Sequence, residues 1–122
     1  MWTPITEVEL LDEIQRTETN LNGDLWNFWQ LIRISPEKWT QSEYGNEGGG
    51  FWVVGIFGKR VIWYNDIEEG FNISDYKKYG KIDCYYCNQD QLDWAVTKLF
   101  DLIKFGGDII GRLGPPQSLK PD

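Results

Sequence analysis

Phe51-Trp52-Val53-Val54-Gly55-Ile56-Phe57-Gly58-Lys59-Arg60-Val61-Ile62-Trp63-Tyr64-Asn65 is the stretch that decides the fold. Two runs rich in β-branched and aromatic residues flank Gly58-Lys59, and a two-residue loop with glycine first matches a type II′ turn, whose twist suits an antiparallel pair. Counting outward predicts Phe57 opposite Arg60, Ile56 opposite Val61, Gly55 opposite Ile62, Val54 opposite Trp63 and Val53 opposite Tyr64. In that register one face carries Phe51, Val53, Phe57, Ile62 and Tyr64, and the other carries Trp52, Val54, Ile56, Val61 and Trp63. Both faces are apolar. A half-solvated hairpin alternates apolar with polar residues, so this one is expected to be covered on both sides, by helices of its own chain, by the tail or by a second subunit.

Outward from the hairpin the signals are mixed. Toward the N-terminus, Thr6-Glu7-Val8-Glu9 has the form of a capping box and introduces Leu10, Leu11, Ile14 and Leu21 at helical spacing, which predicts a helix over 7–18. Residues 25–34 fit a helix capped by Asp24 or a strand, and a short helix running into a strand at 31–34 is the preferred compromise. Ser35-Pro36 looks like an N-cap with proline at the first helical position, giving one helical turn through Trp39. Residues 40–50 are polar and glycine-rich, so a mobile connection is expected. They lack the Gly-Lys-Ser/Thr ending and following helix of a phosphate loop.

Toward the C-terminus, 66–70 reads as an acidic turn, 70–73 as a third strand and 82–86 as another. Asn88 is expected to cap the last helix, with Asp90 and Asp93 at its positive end, Leu92, Ala95, Val96, Leu99 and Ile103 as its buried stripe, and Gly106-Gly107 as its stop. The expected architecture is a single α+β domain over 1–114: an antiparallel sheet of about four strands centred on the 51–65 hairpin, packed with N- and C-terminal helices. Residues 115–122, rich in Pro and Gly, are expected to form a disordered tail.

A chain of 122 residues is long enough to bury about two-thirds of its unfolded surface without staples. Its net charge of −7 is concentrated: residues 1–24 hold six acids and one Arg, and 65–93 hold seven acids and three Lys. Without a basic cluster beyond Lys77-Lys78 and Lys81, nucleic acid is not an expected partner. The acids either form a solvated surface or dock a protein with a basic surface. No apolar run approaches the roughly 20 residues of a membrane span, so no membrane association is expected. The start of the chain has neither a basic segment nor an apolar core, which makes the cytoplasm the default location and predicts reduced thiols.

Histidine is absent, which removes Ser-His-Asp and Cys-His nucleophiles and His-bound zinc. Cys84 and Cys87 form a C-x-x-C that is either a redox pair or two structural thiols; both precede the expected helix cap, which is the wrong place for a helix N-terminus to activate them. With two cysteines and no histidine, no metal site or cofactor is expected. Asp66, Glu68 and Glu69 are either an ordinary solvated turn, a catalytic carboxylate pair or a hard-cation site. Seven tryptophans build a large-ring core or expose platforms; Trp52, Trp63 and Trp94 fall on expected buried faces, whereas Trp2, Trp26, Trp29 and Trp39 are unplaced.

The candidate binding residues are Trp39, Tyr44, Tyr64, Asp66, Glu68, Glu69 and Tyr76. The expected function is a non-enzymatic interaction protein, either an inhibitor or immunity-type module facing a basic partner or a homodimer hiding the outer hairpin face. The alternatives are a small carboxylate- or thiol-dependent enzyme and an aromatic-lined small-ligand protein.

Overall fold

The hairpin forms as read at its turn and departs from the reading beyond it. In the computed structural model, which describes residues 3–44 and 49–105, strand β2 (Phe51–Phe57) and strand β3 (Arg60–Asn65) pair antiparallel. Gly58 takes φ +59° and Lys59 does not share it, the pattern of a type II′ turn. Phe57 faces Arg60, Ile56 faces Val61 and Gly55 faces Ile62, as counted from the turn. The register then slips: Val53 faces Trp63 and Trp52 faces Tyr64, not Val54 with Trp63 and Val53 with Tyr64.

The cause is a β-bulge at Val54-Gly55, which inserts one residue and exchanges the faces of everything N-terminal to it. Trp52 and Val54 therefore join Ile62 and Tyr64, while Phe51 and Val53 join Val61 and Trp63. Gly55 makes room for the bulge's neighbour, since a Cβ there would lie 3.1 Å from Trp29 Cζ3.

Around this pair the molecule is α+β, with the sheet ordered β1-β2-β3-β4 and antiparallel throughout. Helix α1 (Glu7–Glu18) starts at the expected capping box. It buries Leu10, Ile14 and Thr17 and leaves Leu11 at the surface. Helix α2 (Gly23–Ile32) is longer than expected and is preceded by Asn22, not capped by Asp24.

Strand β1 (Arg33–Trp39) replaces the helical turn expected over 35–39. Pro36 lies within the strand instead of opening a helix. On an edge strand a missing N–H costs no ladder bond, and the β1-β2 register is irregular between Arg33 and Glu37, where Pro36 sits. Strand β4 (Gly70–Asp75) extends two residues past expectation.

Two expectations about the C-terminal third fail together. Residues 82–86 are not a sheet strand, and Asn88 does not cap helix α3 (Leu92–Phe105). Asn88 is buried and exchanges two bonds with Asn72: its N–H donates to Asn72 Oδ1 (2.9 Å) and its carbonyl accepts from Asn72 Nδ2 (3.0 Å). The helix stripe is Leu92, Ala95, Val96, Leu99 and Leu102, with Ile103 partly exposed instead of buried.

The helices cover one face of the sheet, where Leu10, Ile14, Phe28, Trp29, Ile32 and Leu99 meet Val54, Ile62, Phe71 and Ile73. On the other face Trp39, Phe51, Val53, Val61 and Trp63 are buried under Tyr76, Ile82 and Tyr85 of the connection between β4 and α3. Hydrogen bonds hold that connection in place: Thr40 N to Gly80 O (2.9 Å), Ile82 N to Thr40 O (2.9 Å), and Trp63 Nε1 to Ser74 Oγ (2.9 Å), which donates onward to Cys84 O (2.8 Å). Both hairpin faces are thus covered by residues of this chain. The expected tail over 115–122 and Gly45 and Gly48 of the glycine-rich stretch lie outside the described residues.

Candidate functional site

A concavity arises where the β3-β4 loop meets the segment that precedes α1. Asn65, fully buried, orders that loop: its Oδ1 accepts from Ile67 N (3.0 Å) and Glu68 N (3.2 Å), and its Nδ2 donates to Tyr86 O (2.9 Å). Glu69 then takes φ +61°, the one non-glycine residue with positive φ among the described residues. Gly70 follows, where a Cβ would lie 2.3 Å from Gln89 Cα.

The loop thereby turns Asp66 inward, 8% exposed, so that its Oδ2 accepts from Ile5 N (2.8 Å). Ile5 O in turn accepts from Trp52 Nε1 (3.3 Å). The capping box completes the rim: Thr6 Oγ1 accepts from Glu9 N (3.2 Å) while Glu9 Oε1 accepts from Thr6 N (3.0 Å). A cavity of about 270 Å³ results, lined by Pro4, Ile5, Glu9, Tyr64, Asp66 and Glu69 among others.

Its electrostatics are one-sided. Burial pushes the Asp66 carboxyl above the usual carboxylate range, against the pull of the Ile5 N–H, its own N–H and Lys38. The other oxygen of Asp66, Oδ1, is buried with no hydrogen-bond partner. Tyr64 is pushed up to about 12, first by burial and then by the charges of Glu13, Glu69, Asp66 and Glu9. The Thr6 backbone and side chain hold Glu9 below its ordinary value. No group of three or more metal-ligating side chains lies together among the described residues.

Of the sequence candidates, the fold brings Tyr64, Asp66 and Glu69 together and sends the rest elsewhere. Glu68 faces Tyr85 and Cys87, and its charge helps to raise both. Trp39 is buried, edge-on to Tyr76 (5.0 Å) and beside Tyr79 (4.7 Å), while the Tyr79 hydroxyl and Trp39 Nε1 both donate to Glu37 (2.6 and 3.1 Å). Tyr44 packs on Tyr85 at 4.4 Å. Tyr76 also borders a wider cleft of about 580 Å³, in which Lys59, Arg60 and Lys77 alternate with Asp75 and Asp83 and no single charge dominates.

Glu9 and Ile5 were missed as site residues. Glu9 carries a legible capping-box signal with Thr6, but nothing local joins it or Ile5 to a loop some 60 positions away; the Ile5–Asp66 separation is 61.

Trp29, Trp39 and Trp63 are the fully buried tryptophans of the described chain, and Trp52 is half-buried. Trp94 is 54% exposed, contrary to its expected buried place, because it lies off the stripe of α3 that faces the sheet. Trp2 is outside the described residues. Neither cysteine is in a disulfide; Cys84 packs against the helix-side core and Cys87 against the opposite one. Burial, with help from Glu68, pushes the Cys87 thiol up, the reverse of what a nucleophilic thiol needs.

Comparison with protein-family models, curated proteins and solved structures returns no match for this chain. Among the described residues, no helix is long and apolar enough to cross a membrane.

Proposed function

We propose that this protein is a non-enzymatic interaction module that engages the basic surface of another protein through the acidic face formed by α1 and the 65–70 loop. One observation carries this. Glu9 and Glu13 from the first acidic segment and Asp66 and Glu69 from the second, far apart in the chain, all act on Tyr64. Charge gathered in this way steers a cationic surface and sets its orientation more than it adds raw affinity. The two cysteines, unbridged and in opposite layers, suit a reducing compartment such as the cytoplasm.

Capture from cell extract on the immobilised full chain tests the proposal when run at about 50 mM and about 500 mM salt, because screening lengths shrink severalfold across that range. A defined basic protein should be retained at low salt, released at high salt, and lost when the bait is the Glu13→Gln/Glu69→Gln double variant. An empty catch, or one indifferent to salt and to the variant, sinks the docking function.

A further inference from the structure

An apolar surface crosses the hairpin-turn end of the helix layer. Phe28 of α2 lies at its centre, buried, within 5.9 Å of Phe57 and 5.1 Å of Phe100 of α3. Phe57, the last residue of β2, is 43% exposed, and Ile103, one helical turn beyond Phe100, is 37% exposed. Lys104 Nζ sits over the rings of Phe100 (5.4 Å) and Phe105 (5.2 Å), so the surface continues to the last residue of α3. Contiguous exposed apolar side chains of this kind mark an interaction surface.

The chain itself supplies an occupant. Residues 106–122 follow Phe105 directly, and three of their apolar side chains, Ile109, Ile110 and Leu113, fall within the first eight positions. Gly106-Gly107 carries no Cβ penalty for a left-handed helix exit, so the chain can reverse there. Phe100 lies five residues back along α3, about 7.5 Å of helix rise, and an extended chain covers about 3.3 Å per residue. Ile109 and Ile110 therefore reach Phe100 and Ile103 with chain to spare. Charge agrees: Lys104 has no acidic partner among the described residues, and Asp108 is the one acid in 106–113. A segment tethered so closely acts at an effective concentration on the order of millimolar, which favours it over a second copy or a separate partner.

We propose that residues 106–113 fold back at Gly106-Gly107 and lay Ile109 and Ile110 over Phe57, Phe100 and Ile103, with Asp108 beside Lys104. The segment thereby occupies the aromatic surface and withholds it from other apolar surfaces. Strand β3 begins opposite Phe57 and ends at Asn65, next to the acidic recess. The two surfaces thus lie at opposite ends of that strand, and this assignment does not depend on the docking function.

The test is NMR of the full chain with labelled isoleucine methyl groups. In the wild type, the Ile109 and Ile110 methyls should show nuclear Overhauser contacts to the Phe57 and Phe100 rings and be shifted upfield by them, unchanged on dilution. Phe57→Ser should return both methyls toward the shifts of a free peptide while the core methyls of Ile62 and Ile73 stay in place. The Ile109→Ser/Ile110→Ser double variant should keep those core signals, lower Tm by about 4–8 °C and bind more anilinonaphthalene sulfonate, which reports exposed apolar surface.

Ile109 and Ile110 methyls without contacts to Phe57 or Phe100 overturn the proposal, as does a double variant with the wild-type Tm. Contacts that disappear on dilution overturn it in favour of a second copy on the same surface. The wild-type contacts require no substitution, so they decide the matter even where a variant fails to fold.

Discussion

Asp66→Asn should make the protein more stable near pH 7. The carboxylate is more than nine-tenths buried, receives one hydrogen bond from Ile5 N (2.8 Å) and leaves Oδ1 unpartnered. A buried acceptor without a donor costs about 1–3 kcal/mol, and more when charged. Asparagine keeps a carbonyl oxygen for Ile5 N–H and replaces the charged oxygen by a neutral amide, while forfeiting the charge assistance of the Ile5 bond. The net gain should be about 1 kcal/mol, or about 4–8 °C in Tm for a domain near 100 residues.

The pH dependence has a definite sign. Burial raises the folded carboxyl above its unfolded value, so the stability linked to Asp66 is fully present below the unfolded value, near 3.9, and is lost as pH rises through the folded one. The variant's advantage is therefore largest at pH 7 and should vanish by about pH 3.5. The charged and titratable neighbours are Tyr64, Glu9, Glu69 and Lys38; the attraction of Lys38 for the Asp66 charge is present only in the wild type and works against the variant's gain. Urea melts of both proteins at the two pH values decide it. A variant less stable by more than about 1 kcal/mol at pH 7, or a gain that does not change with pH, refutes the reasoning and makes Asp66 a structural latch.

Other perturbations probe the frame around the site. Gly70→Ala should destabilise by about 3 kcal/mol or more, since its Cβ would meet Gln89 Cα at 2.3 Å and Asn88 O at 2.5 Å, both backbone; a chemical melt near wild type would show that the loop yields. Asn72→Ala should cost about 2–4 kcal/mol by orphaning both backbone groups of Asn88, measured the same way. Glu69→Gly should stabilise by about 0.5–1 kcal/mol, because relief of a left-handed residue exceeds the added chain entropy; a loss of stability would show that Glu69 holds the loop. In an ultraviolet titration one tyrosine should resist ionisation until about pH 12, and the stability tied to Tyr64 should fall as pH climbs from about 10 toward that value. Iodoacetamide should label Cys87 more slowly in the folded chain than in urea, because burial reduces its thiolate.

Local chemistry was enough for several elements. Gly58-Lys59 between two β-rich runs specified the hairpin and Thr6 with Glu9 specified where α1 begins, because each depends on residues within a few positions of one another. Tertiary contacts decided the rest. The bulge at Val54-Gly55 falls where Trp29 packs over Gly55, Pro36 became strand because it fell on an edge, and Asn88 was drawn from a helix cap into a reciprocal pair with Asn72. The recess itself could not be read from the chain: Asp66 looks like any turn acid until Ile5, 61 positions away, takes one of its oxygens and burial strands the other. Turns and caps are set by neighbours in sequence, whereas desolvation is set by neighbours in space, and desolvation is what separates Asp66 from an ordinary surface carboxylate.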